Sequence, residues 1–416
     1  MHIKYITWGS YGDVRPAVAL GLGLQKAGHK VSIIATPEFE NFITSVGLEY
    51  ILITEDEMGD YIPDPRLKPN HPTKELLNKL WTIFQDADAI ICTPYWFLCS
   101  YIAEKLEIPC YISAVILLSP TNTFPFVYAS RKPTLGSIFN WMSYYFYDQR
   151  LWKSLRKPLN QWREEVLGLH RLSYWSGVIR WIDQKQIPCL YSHSPAFVPK
   201  CSNYSDWIHV TGYWFLDSPN WQPPEDLVEF IEAGSPPVYV GLGNADNLKS
   251  KQLTQTIVEG IVSSGQRGIL LKEKNDKNPD NYVQLPKEVF TIEWASFDWL
   301  FPRIAAVVHH GGLGTIHAAL KAGVPNIIIP LDEENCFWGN RLVEQGLSPP
   351  LIEQEQLSAE KLAKAIKFVI ANKNIYRKVT EVSERIQAED GVARAVEIFH
   401  QHLPFDISRT TRNQIC

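Results

Sequence analysis

The sequence has little of what marks secreted, membrane-spanning or metal-binding proteins. None of its seven cysteines belongs to a CxxC pair or lies at metal-ligand spacing, so we expect reduced thiols. The amino terminus, MHIKYITWGS, lacks the charged region, long apolar stretch and cleavage site of a signal peptide. The best apolar run, residues 108–118, is shorter than the roughly 18 residues that span a bilayer. These absences predict a cytoplasmic protein.

A large excess of either charge is also lacking. The formal net charge of −5 is spread over mixed signs, which argues against nucleic acid as a partner. The apolar fraction of 45% is that of a globular protein, and 416 residues are more than one core usually holds. Two domains are therefore expected. Many of the 14 tryptophans are crowded with Tyr and Phe between residues 124 and 221, which suits either an apolar ligand pocket or an aromatic core.

Strand and helix patterns alternate along the first half of the chain. A helix is expected from about Pro16 to Ala27, with Gly28 as its carboxyl-terminal cap, and another from 150 to 167. Such alternation predicts a parallel sheet covered on both faces. Short apolar runs predict strands at residues 3–8, 31–35, 50–53, 89–92, 110–115, 189–192 and 207–211.

The second half repeats this pattern beyond a stretch rich in Pro and Ser. Further strands are expected at 238–242, 269–272, 290–293, 306–309 and 326–329, and helices from 358 to 400. We therefore predict an α/β protein of two Rossmann-like domains that face each other across a cleft. The predicted parts are an N-terminal domain 1–213, a linker 214–236, a C-terminal domain 237–388, and a helix and tail 389–416 that pack back on the N-terminal domain.

The strongest motif is AAVVHHGGLGTIHAALKAGVPNIIIP, residues 305–330. A buried strand leads into a loop of two His and three Gly, and a helix opens near Thr315. Glycines allow close approach of the backbone, and a helix amino terminus offers free N–H groups and the positive end of its dipole. Such a loop fits a diphosphate. A tight turn without a ligand is the alternative, but the carboxyl end of a strand is where open α/β sheets place ligands.

The loop GSYGDVRP, residues 9–16, follows the first strand of the other domain. It carries Asp13 just before a helix that Pro16 can start. A carboxylate at this position can be a catalytic base or a helix cap, and the residues alone leave both open. His29, directly after Gly28 at the helix end, is expected to be a surface residue or one that compensates the helix dipole.

Five segments together resemble a known family: GSYGDVRPAVALGLGLQKAGHKV, LNQWREEVLGL, PPVYVGLGN, WLFPRIAAVVHHGGLGT and FWGNRLVEQGL. In this order, and over nearly the whole chain, they are similar to the sterol glucosyltransferases and to the bacterial glycosyltransferases of glycopeptide and macrolide antibiotics. Both groups belong to the UDP-glycosyltransferase superfamily (family GT1). The resemblance implies a GT-B fold and an inverting mechanism without a metal ion or other cofactor. It further implies transfer of a hexose, glucose first of all, from a UDP-sugar to a hydroxyl of a small hydrophobic acceptor.

The resemblance also implies roles for single residues. Asp13 matches the catalytic aspartate of the family's GxxGDxxP motif. Trp294 resembles the tryptophan that stacks on the donor base, and Phe297 stands where close relatives have His beside that base. Glu334 and Asn335 replace the Asp-Gln pair that holds the sugar hydroxyls. The implied diphosphate-binding residues are His309, His310, Gly311, Gly312, Gly314, Thr315, Gly243 and Asn244, of which Asn244 replaces a Ser of the relatives.

Several alternatives remain open at this point. A catalytically degenerate GT-B protein would bind a nucleotide sugar or a lipid-like ligand without turnover. This alternative is mildly favoured by Asn244, Glu334 and Asn335, and it is opposed by the presence of Asp13 and the two histidines. An epimerase or a retaining transferase would need other acid–base groups, which this sequence does not match. The acceptor stays open among sterols, lipids, polyketides and other natural products, and the donor nucleotide between UDP and TDP. Basic residues among the aromatics of the first domain predict either a weak peripheral membrane contact or a solvated helical face, and we expect a monomer or a homodimer.

Overall fold

The chain forms two compact units that do not follow its linear order. The first unit consists of Met1–Pro195, Pro199–Leu216 and Asp390–Cys416, and the second of Ala196–Val198 and Asp217–Glu389. The computed structural model describes residues 1–54, 72–93, 97–129, 136–216, 221–242, 251–272 and 285–403.

A seven-stranded parallel sheet forms the centre of the first unit. Its strands lie in the order β3-β2-β1-β4-β5-β6-β7, and the order reverses between β1 and β4. At such a reversal the connections leave to opposite faces, so a crevice opens at the carboxyl ends of the strands. The strands are β1 His2–Ile6, β2 Lys30–Ala35, β3 Glu49–Leu52, β4 Ala89–Cys92, β5 Cys110–Ala114, β6 Cys189–Tyr191 and β7 Ile208–Val210.

Helices cover both faces of this sheet, as its largely buried central strands require. The helices of the first unit are α1 Tyr11–Lys26, α2 Glu40–Ser45, α3 Lys74–Phe84, α4 Cys99–Leu106, α5 Ser137–Glu165, α6 Val178–Lys185 and, at the carboxyl end of the chain, α14 Gly391–Gln401.

The second unit has a five-stranded parallel sheet in the order β10-β9-β8-β11-β12, which reverses between β8 and β11. Its strands are β8 Val238–Gly241, β9 Gly268–Leu271, β10 Val289–Ile292, β11 Ala306–His309 and β12 Asn326–Ile328. Its helices are α7 Glu225–Glu232, α8 Lys251–Ser263, α9 Phe297–Leu300, α10 Leu313–Lys321, α11 Glu333–Gln345, α12 Ala359–Ala371 and α13 Lys373–Gln387. Every strand in the two sheets begins and ends within two residues of a predicted one.

Helix α1 begins at Tyr11, five residues before the predicted start at Pro16. Ser10 caps it by accepting a hydrogen bond from the Gly12 N–H at 3.1 Å, and the Asp13 carboxylate accepts one from the Ser10 N–H at 2.8 Å. These reciprocal bonds form a capping box, which fixes the first turn without help from proline. Pro16 therefore lies inside the helix, where it removes one backbone hydrogen bond.

Helix α5 is also longer than predicted, since it begins at Ser137 rather than near residue 150. Its first turns carry apolar side chains on the outward face as well as the inward one: Ile138, Met142 and Phe146 are exposed. An outward apolar face hides the 3.6-residue period by which a surface helix is recognised in a sequence.

The predicted linker 214–236 is folded wherever it is described. Trp214 is buried in the core of the first unit, and α7 packs Leu227 and Phe230 into the core of the second. Composition suggested a linker because Pro and Ser dominate the stretch, but Leu227, Phe230 and Ile231 have the spacing of an amphipathic helix. The three residues Ala196–Val198, predicted in the first domain, belong to the second unit, where the Phe197 ring lies 6.0 Å from that of Trp338.

Helix α14 packs on α1 within the first unit. Ala395, Ile398 and Phe399 enter the same core as β1 and β2, and the Tyr111 hydroxyl donates to the Phe399 carbonyl at 2.7 Å. His29 is buried here, contrary to its predicted surface position, because its Nε2 lies 2.8 Å from Nε2 of His400 on α14. In the described part of the chain, no helix combines the length and apolar character needed to cross a membrane.

Candidate functional site

The loop between β11 and α10 is built to leave a helix amino terminus open. Gly312 is the N-cap residue of α10, and among the described residues no side chain caps this end. The first N–H groups of the helix, in the turn of Gly314 and Thr315, thus have no intrahelical acceptor. Gly311 has φ +104° and passes so close to α11 that a Cβ would lie 3.0 Å from the Asn335 carbonyl oxygen. Free N–H groups and the positive end of the helix dipole make this turn a site for an anion such as a diphosphate.

His310 completes this turn. Its ring lies against Gly312, where a Cβ would come within 2.6 Å of Nε2, and its buried Nδ1 has no hydrogen-bond partner among the described residues. Burial lowers the pKa of His310, and the nearby Asp332 carboxylate offsets this in part. The ring is therefore largely neutral near pH 7, and it can donate one N–H to a ligand.

His309, the other histidine of the predicted diphosphate site, has a different role. It is fully buried in β11, where Nε2 lies 2.8 Å from Asn326 Oδ1 and Nδ1 accepts from the Gly311 N–H at 3.2 Å. Burial lowers its pKa to about 3, so the ring is neutral and Nε2 carries the proton that Asn326 accepts. Both ring nitrogens are thus bonded within the protein, and His309 holds the loop in place.

The neighbouring turn, between β12 and α11, carries negative charge, whereas the turn at the start of α10 offers free N–H groups and a positive dipole end. Asp332 caps α11 by accepting from the Asn335 N–H at 2.8 Å, and Glu333 and Glu334 add carboxylates in the first turn. The buried Asn335 side chain uses its Oδ1 to accept from the Leu331 N–H at 3.3 Å. An acidic, capped helix end suits neutral hydroxyl groups rather than phosphate. Because β11 and β12 are adjacent, this turn lies directly beside the open end of α10.

Trp294 follows β10 at the same carboxyl edge of the sheet. Its side chain is half exposed, and the ring of Trp221 meets it edge to face at 5.6 Å. Three strand spacings, about 14 Å, separate β10 from β11, which is a distance that an extended nucleotide can span. The ring of Phe297, which is predicted to lie beside the base, stacks on Phe301 at 4.2 Å and packs against the core of this unit. Gly243 and Asn244, predicted at the end of β8, lie outside the described residues.

Asp13 occupies the corresponding edge of the first unit, beside β1. Its Oδ2 accepts hydrogen bonds from the N–H and the hydroxyl of Ser10, at 2.8 and 3.1 Å. Burial raises the pKa of Asp13, and the hydrogen bonds from Ser10 lower it in part. Gly9, at φ +123°, leaves the space that this carboxylate fills, since a Cβ there would collide with it. The residue therefore belongs to the capping box of α1, and its partly buried carboxylate can accept a proton.

Sequence reasoning missed the side chains that surround Asp13. A cavity beside it is lined by the polar residues Thr93, Ser113 and Ser192 and by the apolar residues Pro16, Val115 and Ile116. Thr93 and Ser192 come directly after β4 and β6, so the rule that ligands gather at the carboxyl ends of strands could have found them.

Similarity to known proteins extends over nearly the whole chain. The sterol 3-beta-glucosyltransferase of Arabidopsis thaliana is 34% identical over 429 residues, which cover 97% of this chain and 68% of that protein. This chain belongs to the UDP-glycosyltransferase family. The sterol 3-beta-glucosyltransferase of Komagataella phaffii is 32% identical over 96% of this chain, but the matching region is only 34% of the fungal protein. The chain thus spans about a third of its fungal relatives.

Models of two domain families match this UDP-glycosyltransferase, one in each half. Residues 3–105 match the glycosyltransferase family 28 N-terminal domain, and residues 266–398 match the C-terminal domain of erythromycin biosynthesis protein CIII-like proteins. The first match contains Asp13 and Thr93, and the second contains Trp294, His310 and the start of α11.

Solved structures confirm the GT-B fold of this UDP-glycosyltransferase. The calicheamicin glycosyltransferase superposes with a TM-score of 0.70 at 18% identity, covering 96% of this chain and 97% of that one. The kitacinnamycin glycosyltransferase gives 0.72 at 18% identity, with 97% and 99% covered. A glycosyltransferase of Streptomyces sp. SF2575 was crystallised with thymidine diphosphate. It superposes with a TM-score of 0.60 at 16% identity, covering 96% of this chain and 99% of that one.

Proposed function

We propose that this chain transfers glucose from UDP-glucose to the hydroxyl of a sterol or a similar hydrophobic alcohol, with inversion and without a metal ion. The observation that carries the proposal is the uncapped amino terminus of α10 with the unpartnered His310 Nδ1 beside it, at the strand-order reversal of the second sheet. The 34% identity to the Arabidopsis sterol glucosyltransferase supports the choice of sugar and acceptor.

The donor half of the proposal rests on the charge character of two adjacent turns. The α10 turn, with its free N–H groups and His310, takes the diphosphate, and the α11 turn, with Glu334 and Asn335, takes the sugar hydroxyls. The exposed face of Trp294 stacks on the uracil. Because α10 and His310 already offset the charge of the departing UDP, no metal ion is needed for it to leave. Activity that survives a metal chelator would support this, and loss of activity restored by Mg²⁺ would contradict it.

The acceptor half assigns the base to Asp13. The acceptor oxygen attacks the anomeric carbon of glucose and forms the new C–O bond, while the bond from that carbon to the β-phosphate oxygen breaks and UDP keeps its electron pair. The hydroxyl proton passes to the Asp13 carboxylate. Desolvation raises the pKa of this carboxylate, which makes it a better proton acceptor than an exposed aspartate.

The test is UDP release from UDP-glucose with and without a sterol in detergent micelles, followed by identification of the sterol glucoside. Asp13→Asn keeps an acceptor oxygen for the Ser10 N–H, so folding and UDP affinity should survive while turnover falls roughly 10²–10⁴-fold. Asp390→Asn is the matched control, because Asp390 caps α14 by accepting from the Ala393 N–H at 2.9 Å and has no part in the reaction. Normal turnover in the Asp13 variant would leave that residue as a helix cap only.

The second candidate function is binding of a nucleotide sugar without turnover. The replacement of Asp-Gln by Glu334 and Asn335 favours it, because Asn335 Oδ1 is committed to its own turn. UDP binding by calorimetry, with no UDP release for any acceptor, would establish this function instead.

We also propose a weak peripheral contact with an anionic membrane surface, through the outer face of α5. Ile138, Trp141, Met142 and Phe146 are 43–75% exposed on its first turns, and Trp175, in the loop before α6, is 64% exposed. The Gln149 side chain donates to the Trp175 carbonyl and so ties this loop to α5. Trp and Phe on an otherwise polar surface are typical of segments that insert at a lipid interface.

The charge of the following turns complements anionic lipid. Arg150, Lys153 and Lys157 continue the face of Phe146 at helical spacing, and among the described residues none of them has an ion-pair partner. Replacing all three cations by Gln should weaken binding to vesicles with phosphatidylserine by about 3 kcal/mol in low salt, at about 1 kcal/mol each.

Sedimentation with vesicles tests this face. Trp141→Ser with Phe146→Ser should abolish pelleting, whereas Phe368→Ser on α12, which also removes a half-exposed ring, should not. Equal pelleting of all variants would refute the contact, and a changed oligomeric state of the double variant would assign the face to a second copy of the chain.

The remaining parts of the proposal concern the setting of the reaction. We place the protein in the cytoplasm. The cysteines within the described residues support this, because all of them are free thiols: Cys92, Cys99, Cys110, Cys189, Cys201 and Cys336. We further propose that it acts as a monomer or a homodimer, which sedimentation equilibrium would decide.

A further inference from the structure

Trp294 carries a half-exposed ring on a stretch of backbone that is fixed. Its side chain is 50% exposed, whereas Ile292 and Ala295, on either side of it, are buried in the core of the second unit. Among the described residues, the only aromatic ring in contact with it is that of Trp221, at 5.6 Å between centroids and an interplanar angle of 80°. Such an edge-to-face contact restricts a side chain that would otherwise change its rotamer freely in water.

Trp221 is itself held by other parts of the second unit. Its ring packs against the core, shortly before α7, and it meets the ring of Trp299 at 5.6 Å. The Arg303 guanidinium lies 4.5 Å from the centre of the Trp299 ring and donates to the Trp299 carbonyl at 2.6 Å. The position of Trp221 is therefore fixed by contacts that do not involve Trp294.

We propose that Trp221 is a positioning residue, which holds the ring of Trp294 in the orientation that stacks on the nucleobase of the donor. The inference rests on the proposed binding of UDP-glucose and deepens it. An edge-to-face contact covers at most one face of Trp294, so a flat face stays open for the base. The ring is ordered before the donor arrives, and binding therefore loses less conformational entropy.

This role concerns the affinity for the donor and not the choice of base. Every nucleobase has a flat face that can stack on an aromatic ring, whereas a choice between bases needs hydrogen bonds to their edges. We therefore expect a change at Trp221 to weaken UDP and TDP by the same factor.

A purely structural role is the competing explanation, because three tryptophans packed together also cover apolar surface. A structural residue would affect the whole unit, so its loss would weaken the diphosphate half of the donor site as well as the base half. Uridine and inorganic pyrophosphate probe these two halves separately. A double-mutant cycle with Trp294 shows whether the effect of Trp221 passes through that ring.

The experiment measures the dissociation constants of UDP, TDP, uridine and pyrophosphate by calorimetry for each variant. Trp221→Leu should weaken UDP, TDP and uridine about tenfold, or about 1.4 kcal/mol, which is close to the free energy of ordering one side chain on binding. The affinity for pyrophosphate should not change. Trp221→Phe, which keeps a ring edge, should restore most of the lost affinity, and Trp221→Leu should have no further effect in a Trp294→Ala background.

Phe230→Leu is the matched control, because it also removes a ring that packs against the core of this unit next to β10. Phe230 lies on α7 and stacks on Phe290 of β10 at 5.3 Å. This variant should lower the urea unfolding midpoint and leave the affinities for UDP and uridine unchanged.

The results that would overturn the proposal can be told apart. Unchanged UDP affinity in Trp221→Leu, equal weakening of pyrophosphate and uridine, or a full effect in the Trp294→Ala background overturns this proposal alone. A Trp294→Ala variant that binds UDP and uridine normally overturns the stacking in the proposed function and this proposal with it. A wild type that binds no UDP overturns the proposed donor itself.

Discussion

A substitution of Asp148 would test how burial of a carboxylate changes the stability of the first unit. Asp148 is buried and has no ion-pair partner among the described residues. It lies on α5, and its Oδ1 accepts from the N–H groups of Val178 and Ile179 at 2.7 and 3.2 Å, at the start of α6. Its Oδ2 is buried without a hydrogen bond. Burial raises the pKa of Asp148 to about 7, although the two N–H groups lower it in part. Asp148→Asn keeps an acceptor oxygen for both N–H groups but cannot ionise.

The sign of the effect follows from the direction of the shift. Between pH 4 and 7 the unfolded chain has an ionised Asp148, whereas the folded protein keeps it protonated, so the wild type loses free energy of unfolding as the pH rises. A pKa difference of about three corresponds to on the order of 4 kcal/mol. The free energy of unfolding of the variant, relative to that of the wild type, should therefore rise by this amount as the pH increases from 4 to 8. Above the pKa of Asp148 in the folded protein, this difference should stay constant.

Urea unfolding followed by tryptophan fluorescence at pH 5, 6, 7 and 8 measures this difference, and subtraction cancels the other titrating groups. Asp298→Asn is the control, because Asp298 is an exposed carboxylate that pairs with Lys321 at 3.3 Å. Its difference from the wild type should not vary with pH. A constant difference for Asp148→Asn as well would refute the reasoning.

Three further predictions concern the other sites. His310→Ala should weaken UDP binding by about 1–3 kcal/mol, the range for a lost hydrogen bond to a charged group, and unchanged affinity in calorimetry would place the diphosphate elsewhere. Glu334→Asp with Asn335→Gln should reorder the initial rates across a panel of UDP-sugars, and an unaltered ranking would remove the pair from the sugar site. The pKa of His29 is lowered to about 4 by burial and then by His400, so stability should fall as the pH drops from 6.5 towards 4; His29→Gln should flatten that part of the thermal unfolding profile, and an unchanged profile would contradict it.

Both sheets could be predicted because short apolar runs between polar loops are typical of buried parallel strands. The roles of His309 and His310 could not be separated in this way. They are neighbours in one motif, but His309 is the last residue of β11 and bonds across to β12, whereas His310 lies beyond the strand in the turn. Only the strand pairing, which the sequence does not contain, makes the first a structural residue.

The residues that line the cavity around Asp13 could not be predicted for the same reason, since strand pairing brings them together. Thr93 and Ser192 are far apart in the chain, and they line one cavity because β4, β5 and β6 are neighbours in the sheet. The capping box of Asp13 could be predicted from Ser10 three residues earlier, whereas the space for its carboxylate depends on the positive φ of Gly9.

The position of α14 in the first unit has a consequence for the order in which the two units fold during synthesis. A ribosome releases the whole second unit before it releases α14, whose Ala395, Ile398 and Phe399 complete the core of the first. The nascent second unit can therefore fold early, while the first keeps an open hydrophobic surface along α1 until α14 has emerged. A nascent chain stalled after Glu389 should yield a protease-resistant second unit and a protease-sensitive first one.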